Sequence, residues 1–161
     1  MNWVQRSTVR NWSAVAVSNN GSYFVATVAG GKIYASSGGS SWTEKGSDQN
    51  WRTIACDSTC TRMIAGVTDG TLYTSSDTGT TWTSRNSSAL WRQVSSSSSG
   101  QYLMGVAFGS PVAYSSDYGH WADWLEISPP SAIPGADLHK AYMDLLPVLR
   151  ALNLPEGRSA L

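Results

Sequence analysis

The chain has 161 residues, of which 41% are hydrophobic, enough for one packed domain with a short appendage. Its 11 Lys and Arg residues balance its 11 Asp and Glu residues, and this net charge of zero argues against charge-driven binding of nucleic acid. No apolar run approaches the roughly 18 residues that a transmembrane helix needs, so the chain is not expected to span a membrane.

Eight tryptophans divide the chain into repeat units. They stand at positions 3, 12, 42, 51, 82, 91, 121 and 124, and the pairs 3/12, 42/51 and 82/91 are each nine residues apart. Trp3, Trp42, Trp82 and Trp121 follow one another at intervals of 39, 40 and 39 residues. This period predicts a leading strand at residues 2–7, followed by three repeat units at 11–46, 50–86 and 90–126.

Each unit is predicted to contain four short strands. In the second unit they fall at residues 51–56, 62–68, 71–75 and 81–85. Turn sequences separate them, namely Asp57-Ser58-Thr59, Asp69-Gly70 and Asp77-Thr78-Gly79. Four antiparallel strands in about 40 residues are typical of a propeller blade. The predicted fold class is all-β, with three four-stranded antiparallel propeller-type blades and a C-terminal amphipathic helix.

A motif near the end of each unit carries a family resemblance. Residues 75–82 match the Asp-box pattern S-x-D-x-G-x-x-W in full, residues 115–121 match it with one residue missing before the Trp, and residues 36–42 are one short and have no Asp. The chain resembles the Asp-box (BNR-type) β-propeller family over about residues 1–125. Noncatalytic members, such as photosystem II stability and assembly factors, resemble it more than sialidases do.

The resemblance implies a structural role for the box, which forms the hairpin between the third and fourth strands of a blade. The Asp carboxylate bonds turn amides, the Gly permits a positive φ, and the Trp plugs the space between neighbouring sheets. The predicted box residues are Ser75, Asp77, Gly79, Trp82, Ser115, Asp117, Gly119 and Trp121.

Three blades are fewer than the four to eight that usually close a propeller ring. Two chains could together supply six blades, another protein could complete the ring, or the chain could be part of a longer one. A fourth alternative is that the units pack in some other way.

The composition changes near residue 126. Residues 127–135 read as a Pro/Ser linker, and residues 136–161 as a helical tail. The tail carries an apolar stripe at helical spacing, interrupted by Pro147. We predict that this stripe docks a partner or folds over a blade edge; its residues are Leu138, Tyr142, Leu145, Leu149 and Leu152.

The sequence predicts a hairpin disulfide between Cys56 and Cys60, which flank a turn. The matching positions elsewhere are Val17 and Gly21, then Ser96 and Gly100. Two free thiols are the alternative. A disulfide implies an oxidising compartment, and with the family resemblance it favours an extracytoplasmic, luminal or secreted location.

No catalytic constellation, metal site or cofactor site is predicted. Asp77 and Asp117 fall in boxes and Asp69 in a hairpin turn, the arginines are scattered, and His120 and His139 lie in different segments. We therefore expect a noncatalytic assembly or scaffold subunit that binds other proteins, or a second copy of itself, through its propeller faces and C-terminal helix. The alternative is a carbohydrate-binding module of the Asp-box type using Tyr23, Tyr102 and Tyr118, and a glycosidase fragment ranks third.

Overall fold

The computed structural model describes residues 4–85 and 88–119 and the backbone of residues 125–127. The chain divides after Ser128 into two units, and the described residues fall in the first. The predicted linker, the helical tail with its docking stripe, and Trp121 lie outside the described residues.

Ten antiparallel strands, and no helix, make up the described part of the chain. They form a six-stranded sheet, β1 to β6, and a four-stranded sheet ordered β10-β9-β8-β7. The fold class is therefore all-β, as predicted. The strands are β1 (Trp12–Val17), β2 (Tyr23–Ser37), β3 (Thr43–Cys56), β4 (Met63–Val67), β5 (Leu72–Ser75), β6 (Thr83–Ser84), β7 (Leu90–Ser96), β8 (Leu103–Phe108), β9 (Val112–Ser115) and β10 (Leu125–Ile127).

The first two predicted units are joined in one sheet, which differs from the expectation of separate four-stranded blades. β3 runs without a break from the end of the first unit into the second, pairing with β2 through Thr43–Asn50 and with β4 through Trp51–Cys56. β2 covers the positions that form the two separate strands β4 and β5 in the second unit. Gly30 of β2 has a φ of 74°, and the equivalent Asp69, in the turn between β4 and β5, has a φ of 53°. Residues 47–50 are extended, so β3 is continuous and the two units share one sheet. The number of separate blades therefore stays a prediction.

The same irregularity begins each unit. The pairing register shifts just after Trp12 in β1, Trp51 in β3 and Trp91 in β7. A β-bulge bends a strand and increases its twist. Its recurrence shows that the units share their backbone as well as their sequence pattern.

The core lies between successive units in two apolar clusters. Trp51 and Ile54 of the second unit pack with Val25 and Ile33 of the first. One unit further along, Trp91 and Val94 pack with Ile64 and Leu72. We call the side of a unit that bears the Trp its leading face and the opposite side its trailing face. The trailing face of one unit thus packs on the leading face of the next.

The predicted leading strand at residues 2–7 is not formed where the structure describes it, because residues 4–7 carry no strand. In a four-stranded blade the fourth strand pairs with the third. The described residues supply no third strand with which residues 4–7 could pair. In the described part of the chain, no helix has the length and apolar character to cross a membrane.

Candidate functional site

The box of the second unit is a closed hydrogen-bond network. Ser75 Oγ accepts from the Gly79 N–H at 3.0 Å and donates to Asp77 Oδ1 at 2.9 Å. The Asp77 carboxylate accepts from the Thr81 N–H at 2.8 Å and from the Thr81 hydroxyl at 2.6 Å. Trp82 Nε1 donates to the Gly79 carbonyl at 3.0 Å. The box side chains therefore hold their own turn.

These bonds stabilise the charged form of Asp77. The two donors from Thr81 are the main cause, and they lower the pKa of the Asp77 carboxyl to about 2. A carboxylate held ionised by local donors suits a structural anchor and is a poor general acid at neutral pH.

The third box repeats the serine contacts of the second. Ser115 Oγ accepts from the Gly119 N–H at 2.9 Å and donates to Asp117 Oδ1 at 3.1 Å. Tyr118 and Gly119 have positive φ, as do Thr78 and Gly79. Trp121, which completes the predicted match of this box, lies outside the described residues.

Tyr114 pairs with Leu125, just as Thr74 pairs with Thr83, so the pairing strand begins ten residues after Ser115 and only eight after Ser75.

The first box has lost the Asp itself. The Gly38 N–H donates to Ser22 O, as the Thr78 N–H donates to Thr61 O, so Gly38 stands at the place of Thr78. One residue separates Ser36 from Gly38, and two separate Ser75 from Thr78. The first box is therefore one residue shorter and has no Asp, and Ser36 Oγ is buried with no hydrogen-bond partner.

We expect the serine of each box to respond differently to alanine. Ser75→Ala leaves the buried Gly79 N–H without an acceptor and should lower the free energy of unfolding by about 1–2 kcal/mol. Ser36→Ala removes a hydroxyl that is already unpartnered, so stability should stay the same or rise. Urea denaturation of both variants checks this matched pair, and equal losses would contradict the described box geometry.

The box tryptophans Trp42 and Trp82 are less buried than Trp51 and Trp91. Trp42 and Trp82 are half-buried, whereas Trp51 and Trp91, at the starts of units, are buried. Trp51 lies edge-on to Tyr73 at 5.3 Å and tilted against Trp82 at 5.9 Å. Trp12 makes the same contacts with Tyr34 and Trp42, at 5.5 and 5.9 Å. In both units the Trp that begins the unit packs against a Tyr, and the box Trp packs over it.

Cys56 and Cys60 form a disulfide across the turn after β3. Cys60 has a φ of 56°, and the matching glycines, Gly21 and Gly100, have 67° and 74°. The cysteine thus occupies a left-handed position that glycine occupies in the other units. In the same turn, Asp57 Oδ1 accepts from the Thr59 and Thr61 N–H groups at 3.0 Å each.

Glu44 is a further acidic group that is engaged locally. Glu44 forms an ion pair with Lys32 at 3.1 Å and accepts from the Tyr34 hydroxyl at 3.1 Å, and these contacts lower the pKa of its carboxyl, the Lys32 bond most. Within residues 4–85 and 88–119, no three His, Cys, Asp or Glu side chains are grouped so as to hold a metal ion.

The predicted sugar-stacking tyrosines occupy different settings. Tyr23 is half-buried, and its hydroxyl donates to Thr78 O at 3.4 Å. Tyr118 lies under the Arg62 guanidinium, which is 4.1 Å from its ring centroid. Tyr102 is exposed and stacks on Tyr114, with ring centroids 6.4 Å apart. Tyr102 therefore offers an exposed ring face.

Four exposed apolar side chains line the trailing face of the third unit. They form the β8 strip, defined as Tyr102, Met104, Val106 and Phe108. Shallow cavities of about 230 and 210 Å³ adjoin it, bordered by Ser95 and Gln93. Alternate residues of β8 are buried or half-buried on the other side, against the second unit. Sequence reasoning singled out Tyr102 on this surface but not Met104, whose repeat-equivalents Val25 and Ile64 are core residues.

Comparison with solved structures places the chain in a class. The structures that resemble it are β-propellers, so the described fold is β-propeller-like. No family model and no curated protein matches the sequence.

Three of the similar structures are these. The GH74 enzyme of Niastella koreensis aligns with a TM-score of 0.59 at 20% identity, over 73% of this chain and 18% of its own. YCF48 from Cyanidioschyzon merolae aligns with a TM-score of 0.62 at 13% identity, over 76% of this chain and 39% of its own. YCF48 bound to D1 peptide aligns with a TM-score of 0.60 at 11% identity, over 76% of this chain and 42% of its own. The chain thus spans less than half the length of each.

Proposed function

We propose that the chain is a noncatalytic structural subunit of a larger assembly, which binds another protein chain over its open sheet face. The observation that carries this proposal is the β8 strip, a row of exposed apolar side chains on a well-paired strand. Contiguous exposed apolar surface marks interaction sites on soluble proteins.

The chemistry of the described acidic residues supports a noncatalytic role. The Asp77 carboxylate is bound by its own turn, Asp57 by the turn at Thr59, and Glu44 by Lys32 and Tyr34. A glycosidase needs two carboxyl groups facing each other across the scissile bond. These three groups are instead tied to separate turns and strands.

The finer architecture belongs to the same proposal. The three units are propeller-type blades of the Asp-box kind, and the tail stripe of Leu138, Tyr142, Leu145, Leu149 and Leu152 is a further protein-docking surface. The box geometry at Asp77 and the likeness to YCF48, a propeller solved with a peptide bound, support this assignment.

Site-specific photocrosslinking tests the proposed face. A benzoylphenylalanine in place of the exposed Phe108 should give an adduct with a protein chain in native material, because that side chain lies within the partner interface. The same reagent in place of Val9, which is exposed but outside the strands, is the control. No adduct at position 108, or equal adducts at both positions, would contradict the proposal.

A carbohydrate-binding module is the second candidate. The exposed Tyr102 ring, stacked on Tyr114 beside Ser95, Ser96 and Ser97, is the observation that favours it. Sugars stack on aromatic faces and bond to nearby hydroxyls. A glycan array distinguishes the candidates, since binding that Tyr102→Ala abolishes would favour the module.

A further inference from the structure

The trailing faces of the three units differ in one respect, which is whether another unit covers them. Val25, Ile64 and Met104 stand at equivalent places, one residue into the pairing of β2, β4 and β8. Their side chains are 1%, 0% and 47% exposed. Ile64 is buried because it packs with Trp91 and Val94 of the following unit. Met104 is exposed because the described residues supply no unit beyond the third.

The leading faces show the complementary pattern. Val15, Ile54 and Val94 are equivalent, three residues after the first Trp of each unit, and they are 74%, 5% and 5% exposed. Ile54 packs with Val25 of the preceding unit. The described chain therefore ends in two open faces, and each is one half of an interface that it already forms twice internally.

The backbone carries the same series. The Asn19 N–H donates to Ser58 O at 2.8 Å, and the Ser58 N–H donates to Ser98 O at 2.9 Å. These bonds join equivalent turns of successive units. Within the described residues the series ends at Ser98, so its next donor is the Ser98 N–H and its unused first acceptor is Asn19 O.

We infer that a second copy of this chain covers both open faces, head to tail. This inference rests on the proposed function and names its partner. The β8 strip of one copy receives the leading face of the other, which contains Trp12, Val15 and Val17, and the Ser98 N–H meets the other copy's Asn19 O. Two such contacts related by a twofold axis close a ring of six units, within the four to eight typical of propellers.

The occupant is assigned from the repeat itself. The face that fits the β8 strip is the kind that fits Ile64 and Leu72, namely one bearing a bulged Trp and an aliphatic residue three positions later. The chain presents one such face with Val15 uncovered. A second copy therefore brings the required face at equal concentration.

Sedimentation of the full-length chain tests the inference. We expect twice the chain mass of 17.3 kDa. Met104→Glu and Val15→Glu should each raise the dissociation constant at least about tenfold, because each places a charge in an apolar interface. Both side chains are exposed within one copy, so thermal melting of the separated chains should be unchanged. Val9→Glu, at a side chain that is more exposed and lies outside the sheet faces, should stay dimeric.

Mixing the variants tests the head-to-tail geometry. A Met104→Glu copy with a Val15→Glu copy retains one intact interface, so the mixture should associate more tightly than either variant alone. A dimer in which like faces meet, with the β8 strip of one copy against the β8 strip of the other, would not recover in this way. A monomeric wild type, or a dimer unaffected by both substitutions, would overturn the inference. If a different protein is then crosslinked at position 108, the proposed function still stands; if none is, both fail.

Discussion

Replacing Trp51 by alanine should lower the free energy of unfolding by about 3–5 kcal/mol, the cost typical of emptying a buried aromatic site. Trp51 is buried between the first and second units and contacts both Tyr73 and Trp82. Its loss removes the contacts that hold two units together, which the neighbouring side chains can only partly refill. Equilibrium unfolding in urea, followed by fluorescence, measures the change.

The repeat supplies the control for this substitution. Trp12 makes the same ring contacts in the first unit but is half-buried, since no described unit precedes it. Trp12→Ala should therefore cost clearly less than Trp51→Ala. If both substitutions lowered the free energy of unfolding equally in a monomeric sample, the contribution of the Trp would depend on its position within the repeat and not on coverage by a neighbouring unit.

Removal of the Asp77 carboxylate has the second-largest expected effect. Asp77→Ala should destabilise the chain by about 1–3 kcal/mol, because the Thr81 N–H and hydroxyl lose a charged acceptor. Asp48→Ala, which removes an exposed acid from β3, is the control and should change stability little. Partner binding should fall only as far as unfolding requires. A stable Asp77→Ala protein with a specific binding defect would contradict the structural role of the box.

The pH dependence of the same variant follows from its lowered pKa. The folded pKa of Asp77 is about 2 and the ordinary value is 3.8. A depressed folded pKa stabilises the native state above the unfolded pKa, and this contribution disappears as the pH falls through the folded value. The stability difference between wild type and Asp77→Ala should thus be full at pH 6 and shrink between about pH 4 and pH 2. A difference that is constant with pH would contradict the charge-assisted bonds.

Local sequence patterns predicted the second unit well. Predicted strands at 62–68 and 71–75 correspond to β4 and β5, and Gly79 has the positive φ expected of the box glycine. The predictions succeeded because turn residues and alternating side chains act over a few neighbouring positions. The box hydrogen bonds around Asp77 follow from the same short-range geometry.

What the sequence could not predict depends on neighbours distant in the chain. Repeat spacing treats Ile64 and Met104 as the same position, yet one is core and the other surface. It also treats Trp82 and Trp51 as equally regular, although only Trp51 is covered on both sides. Coverage is a property of stacking, so it becomes visible only once the units are placed side by side.

All five residues of β4 are buried, although their side chains alternate between the two faces of the sheet. This burial has a consequence for how such chains can lengthen. Duplicating the middle unit within its gene would insert one more leading face and one more trailing face, and each would meet its complement at once. The longer chain would still end in two uncovered faces, so growth adds buried area without adding surface that needs protection. Losing a middle unit would remove buried area but would leave no additional face uncovered.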